Sequence, residues 1–262
     1  MKPNRALEAM QTRGVAYGSW TQMNCPEISE LQARSGLDFV IVDMEHGSFG
    51  IESAVRMMTA IEAGGASSVV RVPEATPATI LKVLDAGAAG IIIPNVETPE
   101  QVQAVVDASR YAPEGRRGAC PCTRSTGHGV YDWNQSVQWA RDNVMVIGLV
   151  ETPLGIENFS KIIGVEGLSA VGVGQFDLSQ AMGLAGDHEH PDVLRKQELL
   201  VGEAREKGVD IFAVCFASDP GEIETAIRRW RKLGSRFIAV SGDRFMLSAG
   251  YGRIAKTLSG LS

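Results

Sequence analysis

Apolar residues in this chain come in short continuous blocks, each followed by a longer stretch in which they return every three or four positions. The blocks predict strands at about Val15–Trp20, Asp38–Asp43, Ser68–Val72, Gly90–Pro94, Val144–Glu151, Ser169–Gly174, Asp210–Cys215 and Arg236–Ser241. They are apolar on both faces, as parallel strands are when helices cover one side and a barrel interior the other. The periodic stretches predict helices that include Ile51–Ala63, Pro77–Ala86, Pro99–Ser109, Gly155–Ile162, Pro191–Lys207 and Pro220–Leu233. Several open near a proline or close at a glycine (Gly64, Gly87, Gly208, Gly234), which is how helix boundaries are commonly marked.

Eight strand–helix units with no break in composition predict one α/β domain over residues 1–262, a single (β/α)8 TIM barrel. The competing open, doubly wound sheet usually carries Gly-x-Gly-x-x-Gly after its first strand, and the chain lacks it. The segment from Tyr111 to Asn143 breaks the rhythm, with a first half rich in glycine and polar residues. Segments of that kind are usually lids or binding loops, so this one is expected to reach over one end of the barrel.

Composition narrows the function classes. With 44% hydrophobic and 21% charged residues the chain can bury a large core. A net charge of −6 argues against nucleic-acid binding, which needs clustered Lys and Arg. The longest apolar runs are too short to cross a bilayer, and Met1 to Gly14 lacks the apolar centre of a signal peptide, so the expected location is cytoplasmic. Four cysteines in 262 residues make no disulfide framework and no zinc pattern.

In a barrel, polar residues at the carboxyl ends of the strands are the candidate chemistry. Strand two ends in Asp43-Met-Glu45-His46, strand three in Arg71, strand five in Glu151, and strand six runs into Gly174-Gln-Phe176-Asp177. Glu151 and Asp177 come from neighbouring strands and can converge. Two carboxylates completed by water and substrate oxygens suit Mg²⁺ or Mn²⁺ better than zinc. Asp177 as a helix cap and Glu151 in a surface ion pair is the plainer alternative. His46, beside Asp43 and Glu45, suits proton transfer near neutral pH, although a histidine there can equally satisfy a turn carbonyl. Arg71 can bind a carboxylate or stabilise an enolate oxygen, or simply pair with Glu45 or Glu74.

None of the seven lysines (Lys2, Lys82, Lys161, Lys196, Lys207, Lys232, Lys256) falls in a predicted strand. A Schiff-base aldolase needs a desolvated lysine inside the barrel, so an enolate made here must be polarised by a metal. His128, between two loop glycines, is a weaker candidate to enter the site, and His188 and His190 read as an exposed turn.

Six segments together resemble the HpcH/HpaI family of class II, metal-dependent pyruvate aldolases over nearly the whole chain. They are Asp38–Gly47, Val70–Pro73, Leu84–Pro94, Arg110–Gly118, Val150–Gly155 and Val171–Ser179. The resemblance implies a barrel of the phosphoenolpyruvate/pyruvate-binding type that cleaves a 4-hydroxy-2-oxo acid to pyruvate and an aldehyde, or runs the reverse addition. It further implies that Glu151 and Asp177 ligate a divalent ion (Mg²⁺, Mn²⁺ or Co²⁺) and that Arg71 stabilises the enolate oxygen. His46, oriented by Asp43, would move protons at the metal-bound water or the aldol oxygen. The backbone N–H groups of Phe176 and Asp177 would hold the substrate carboxylate. Asp85 matches an acid that reaches a neighbouring subunit's site in relatives, so a homo-oligomer, typically a hexamer with exchanged C-terminal helices, is implied. Two positions depart from the family's pattern. Leu149 stands where relatives carry Gln, and Gly174-Gln-Phe-Asp177 replaces Gly-Pro-Ala-Asp, so Phe176 adds bulk and Gln175 a polar arm to the expected pocket. The rivals are a CoA-thioester lyase of the citrate-lyase-like group and a non-catalytic oxo-acid-binding barrel.

Overall fold

A computed structural model describes residues 3–129 and 132–261. Eight parallel strands close into a barrel in sequence order: β1 (Ala16–Thr21), β2 (Phe39–Asp43), β3 (Ser67–Arg71), β4 (Gly90–Ile93), β5 (Met145–Val150), β6 (Ala170–Val173), β7 (Asp210–Cys215) and β8 (Phe237–Gly242). Each lies within two residues of the block that predicts it. The helices are α1 (Arg5–Thr12), α2 (Pro26–Arg34), α3 (Ile51–Ala63), α4 (Pro77–Asp85), α5 (Pro99–Ser109) and α6 (Trp133–Asn143). They continue with α7 (Pro153–Glu157), α8 (Phe159–Ile162), α9 (Gln175–Ala181), α10 (Pro191–Glu206), α11 (Pro220–Leu233) and α12 (Asp243–Ser259). Hydrophobic periodicity anticipates α3, α4, α5, α10 and α11, and α7 with α8 together.

Two apolar layers hold the barrel. The outer one joins strand residues such as Val40, Val70, Ile91 and Val146 to helix residues such as Met57, Ile80, Val102 and Phe159. The inner one fills the barrel with Trp20, Phe39, Ile41, Val69, Ile92, Ile147, Leu149, Phe212 and Phe237. The Phe39 and Phe237 rings stack across it with centroids 4.0 Å apart. Gly18 makes room for that stack, because a Cβ there would lie 2.3 Å from the Phe39 ring. Leu149 belongs to this inner layer and packs over Gly172, so it continues the core.

The amino-terminal end of the barrel is closed by α1. Ala6, Ala9 and Met10 are buried in the inner cluster, and Asn4 fastens the helix start by donating to the carbonyls of Ala89 and Asn143. The same Asn4 side chain accepts from the N–H groups of Ala6 and Leu7 as the N-cap.

The Tyr111–Asn143 segment also lies at this end. Arg124 donates to Glu62 at the end of α3 and to the carbonyl of Ala86 just after α4. The second half of the segment is α6 rather than loop, and Val130 and Tyr131 lie outside the described residues. A cavity of ≈ 480 Å³ sits there, lined by Tyr111, Arg117, Arg124, His128 and Trp139 among others. It is at the opposite end from the carboxyl-terminal strand ends, so His128 does not join the acids of β5 and β6.

No described helix is long and apolar enough to cross a membrane. The four cysteines are free thiols.

Candidate active site

The carboxyl ends of β1 to β6 carry a connected set of polar side chains. Asp43 and Arg71 are partners in the β2–β3 register, which brings the two side chains together at the barrel mouth. Arg71 Nε and Nη2 donate to the two Asp43 oxygens at 2.8 and 2.6 Å, and Nη1 lies 3.0 Å from Glu45 Oε2. The guanidinium also sits over the Trp20 ring, 4.5 Å from its centroid. Three sides of the fork are therefore fixed by a carboxylate pair and an indole.

Asp43 is fully buried and is further held by Gln22, whose Nε2 donates to it at 2.7 Å. Burial alone would raise the Asp43 pKa, but the hydrogen bonds and charge of Arg71, with help from Gln22 and the His46 N–H, carry it below the ordinary carboxylate value. Gln22 is anchored in turn, because its backbone N–H donates to Asp243 at the start of α12. Asp43 meets His46 through the backbone: its Oδ1 accepts from the His46 N–H at 3.2 Å. The imidazole itself is mostly exposed and has its Nε2 3.9 Å from Glu45 Oε2, so Glu45 rather than Asp43 is the carboxylate beside the ring.

Glu151 follows β5 directly, and Asp177 lies in the first turn of α9 after β6. Both face Gly174. A Cβ at that glycine would stand 2.7 Å from Asp177 Oδ2 and 3.3 Å from Glu151 Cγ, so any larger residue would intrude on the acid pair. Asp177 does not cap α9; Gly174 occupies the N-cap and no side chain caps the helix. Nor does Glu151 form an ion pair at the surface with any described residue. Its Oε2 accepts from the N–H of Asn95, at 3.0 Å, in the turn after β4. Asn95 adopts a left-handed conformation (φ 51°), which an asparagine tolerates better than most side chains.

Burial is the main cause that raises the Glu151 pKa. The negative charges of Asp177 and Glu45 add to the rise, while the Asn95 N–H and Arg71 oppose it. Two carboxylates thus converge at the mouth, Glu151 partly buried and Asp177 exposed to solvent beside it. That donor set fits a hard divalent cation, whose remaining positions would be open to water and substrate. Among the described residues no three or more His, Cys, Asp or Glu side chains form a metal-binding group, so the protein's share of such a site is this pair.

Two expected features of the pocket are placed differently. Phe176 is at the rim and 57% exposed, with its ring over Gly186. Gln175 is not a polar arm in the pocket. Its amide turns away and donates to Gln197 on α10. Asp85, the last residue of α4, lies at the amino-terminal end of the barrel and pairs with Arg117 at 2.8 Å, away from its own chain's acid pair. No described lysine lies in a strand, and Lys2 is outside the described residues. Gln22, Asn95 and Trp20 are site residues that sequence reasoning passed over. Each stands in or just after a strand end, the same signal that marks Arg71 and Glu151.

A closed parallel barrel with an acid pair and a fixed arginine at its carboxyl mouth defines a TIM barrel whose polar residues gather where such barrels carry their active sites. Residues 16–246 match the family described as HpcH/HpaI aldolase/citrate lyase, and the chain belongs to it. It is 31% identical over 256 residues to the 5-keto-4-deoxy-D-glucarate aldolase of Salmonella arizonae, covering 97% of this chain and 96% of that one. Two crystal structures are closely similar. The HpcH/HpaI aldolase from Desulfitobacterium hafniense DCB-2 has a TM-score of 0.88 at 28% identity, with 96% of each chain covered. An HpcH/HpaI aldolase/citrate lyase family protein from Burkholderia cenocepacia J2315 has a TM-score of 0.86 at 28% identity, covering 98% of this chain and 99% of that one.

Proposed function

We propose that the chain is a metal-dependent aldolase that cleaves a 4-hydroxy-2-oxo acid to pyruvate and an aldehyde, or runs the reverse addition. The observation that carries this reading is the convergence of Glu151 and Asp177 on Gly174 beside a guanidinium fixed by Asp43 and Glu45. Glu151 and Asp177 would hold Mg²⁺, Mn²⁺ or Co²⁺, and the bound ion would act as a Lewis acid toward the keto acid.

The remaining work falls to this chain's own groups. The N–H groups of Phe176 and Asp177, in a helix start with no side-chain cap, orient the substrate carboxylate. Arg71 stabilises the oxygen on which negative charge grows as the carbon–carbon bond breaks. It needs no reorganisation, because Asp43, Glu45 and Trp20 already hold it in place. His46, exposed at the mouth, accepts the proton of the 4-hydroxyl in cleavage. The aldehyde and the pyruvate enolate separate, and a proton from water at the open mouth then completes the methyl group; addition runs the same steps in reverse. Leu149 and the inner apolar layer beneath it form a dry floor.

The reading extends to a homo-oligomer, a hexamer, in which Asp85 serves a neighbouring site. The exposed Tyr251, Ile254, Leu258 and Leu261 of the C-terminal segment support it. The cytoplasm is the compartment proposed, in keeping with the exposed free thiols of Cys120 and Cys122.

Exchange of pyruvate methyl protons in D₂O, followed by NMR with Mg²⁺ or Mn²⁺ and again after chelation, tests the reaction class. Exchange that depends on metal is expected; exchange that persists without it would overturn the assignment. Turnover of a β-hydroxyacyl-CoA but of no free oxo acid would move the chain to the citrate-lyase side of its family.

A further inference from the structure

Gln197, on α10, is completely buried and lies behind the site rather than in it. Its Oε1 accepts two hydrogen bonds, from Gln175 Nε2 at 2.9 Å and from Arg229 Nη2 at 3.1 Å. Two donors on one atom determine which end of this amide is oxygen. The other end, Nε2, is buried with no hydrogen-bond partner among the described residues. A wholly buried side chain with an unmet donor is costly to keep, and such a group calls for an explanation beyond packing.

The explanation lies in what the oxygen holds. Gln175 is the first residue of α9, two positions before Asp177. The helix begins at a glycine with no side-chain cap, so at Gly174 the turn is held only by its carbonyl, which accepts from the Leu178 N–H at 2.8 Å. The Gln175–Gln197 bond ties that turn to α10, and Arg229 ties the same oxygen to α11, where its guanidinium lies 5.6 Å from the buried Trp230 ring. Three helices meet at one acceptor. A rotation of the α9 start would break the Gln175 bond and swing Asp177 away from Glu151 together.

We propose that Gln197 is a positioning residue: acting through Gln175, it sets the first turn of α9 and so aims the Asp177 carboxylate at the place it shares with Glu151. The inference rests on the reading of Glu151 and Asp177 as the pair that holds the metal. The fixing is done by a buried amide.

The test is Mn²⁺ binding to the full-length protein, read from the electron paramagnetic resonance of free Mn²⁺, with thermal melting of the metal-free protein alongside. Gln197→Leu and Gln175→Leu are each expected to weaken Mn²⁺ binding about tenfold, the low end of what loss of a ligand's support costs. The double variant should bind no more weakly than either single one, because both remove the same tie. Gln197→Glu keeps an acceptor toward both donors and should bind as the unaltered protein does. Should Gln197→Leu fail to fold, Gln175→Leu, at a half-buried position, carries the test. A lower melting temperature with unchanged Mn²⁺ affinity, or additive losses in the double variant, would overturn the positioning role alone. Absence of Mn²⁺ binding in the unaltered protein would overturn the metal reading, and the positioning role with it.

Discussion

Asp43 and Arg71 are opposite each other in the β2–β3 register and are joined by two hydrogen bonds of 2.8 and 2.6 Å. The arginine at the barrel mouth is therefore aimed by the strand pairing itself. The pair is almost completely enclosed, with Asp43 at 0% and Arg71 at 8% exposure. Removing one member leaves the other's charge buried and poorly matched.

Asp43→Asn should therefore destabilise the fold by roughly 3 kcal/mol near neutral pH, measured by urea unfolding. The sign with pH follows from the lowered Asp43 pKa. A depressed carboxylate contributes stability above its unfolded value, and that contribution is lost as pH falls through its folded value. The gap between the two proteins should narrow in strong acid. A gap that stays constant with pH would show that the carboxylate charge is not what matters.

Arg71→Lys should lower kcat by about a hundredfold, since an ammonium cannot reproduce a planar fork shared among Asp43, Glu45 and an oxyanion. Steady-state kinetics on an oxo-acid substrate decides it. Near-normal kcat with a raised KM would confine Arg71 to ground-state binding.

Binding of a divalent ion by the folded state alone must stabilise it. At a free Mn²⁺ concentration a hundred times its dissociation constant, the gain is about 2.7 kcal/mol, visible as a rise in Tm of several degrees. Glu151→Gln and Asp177→Asn should abolish the rise and, with it, pyruvate proton exchange. An undiminished rise in either variant would place the ion elsewhere.

Gly18→Ala should cost about 1–3 kcal/mol or more, because the new methyl would fall 2.3 Å from the Phe39 ring in an already filled barrel. Phe39→Leu should restore part of the loss in the double variant. Thermal melting of the four proteins measures the coupling.

The barrel was legible in the sequence because its strands are buried on both faces, so each is an unbroken apolar block. Helices that rest on a wide apolar face, such as α3 and α4, were equally clear. The rest are short, or have their role set from a distance. The eight residues of α1 look like a polar tail until the barrel end that they close is known. The seven of α9 are too few to show a period, so the sequence marked only a helix start near Asp177 and not its extent.

At the site, Asp43, Arg71, Glu151 and Asp177 announced themselves as charged residues closing apolar runs. The orientation of Gln175 could not be seen, because it depends on Gln197, 22 positions onward. The placing of Glu45 beside His46 depends likewise on Arg71, whose Nη1 draws the Glu45 carboxylate to within 3.0 Å.

The helix lodged in the amino-terminal end of the barrel has a consequence for its stability. Ala6, Ala9 and Met10 lie in the same apolar layer as Trp20, Phe39 and Phe237, so that layer has a base as well as walls. Prying α1 loose would wet the underside of the layer on whose upper face the Arg71 guanidinium rests against Trp20.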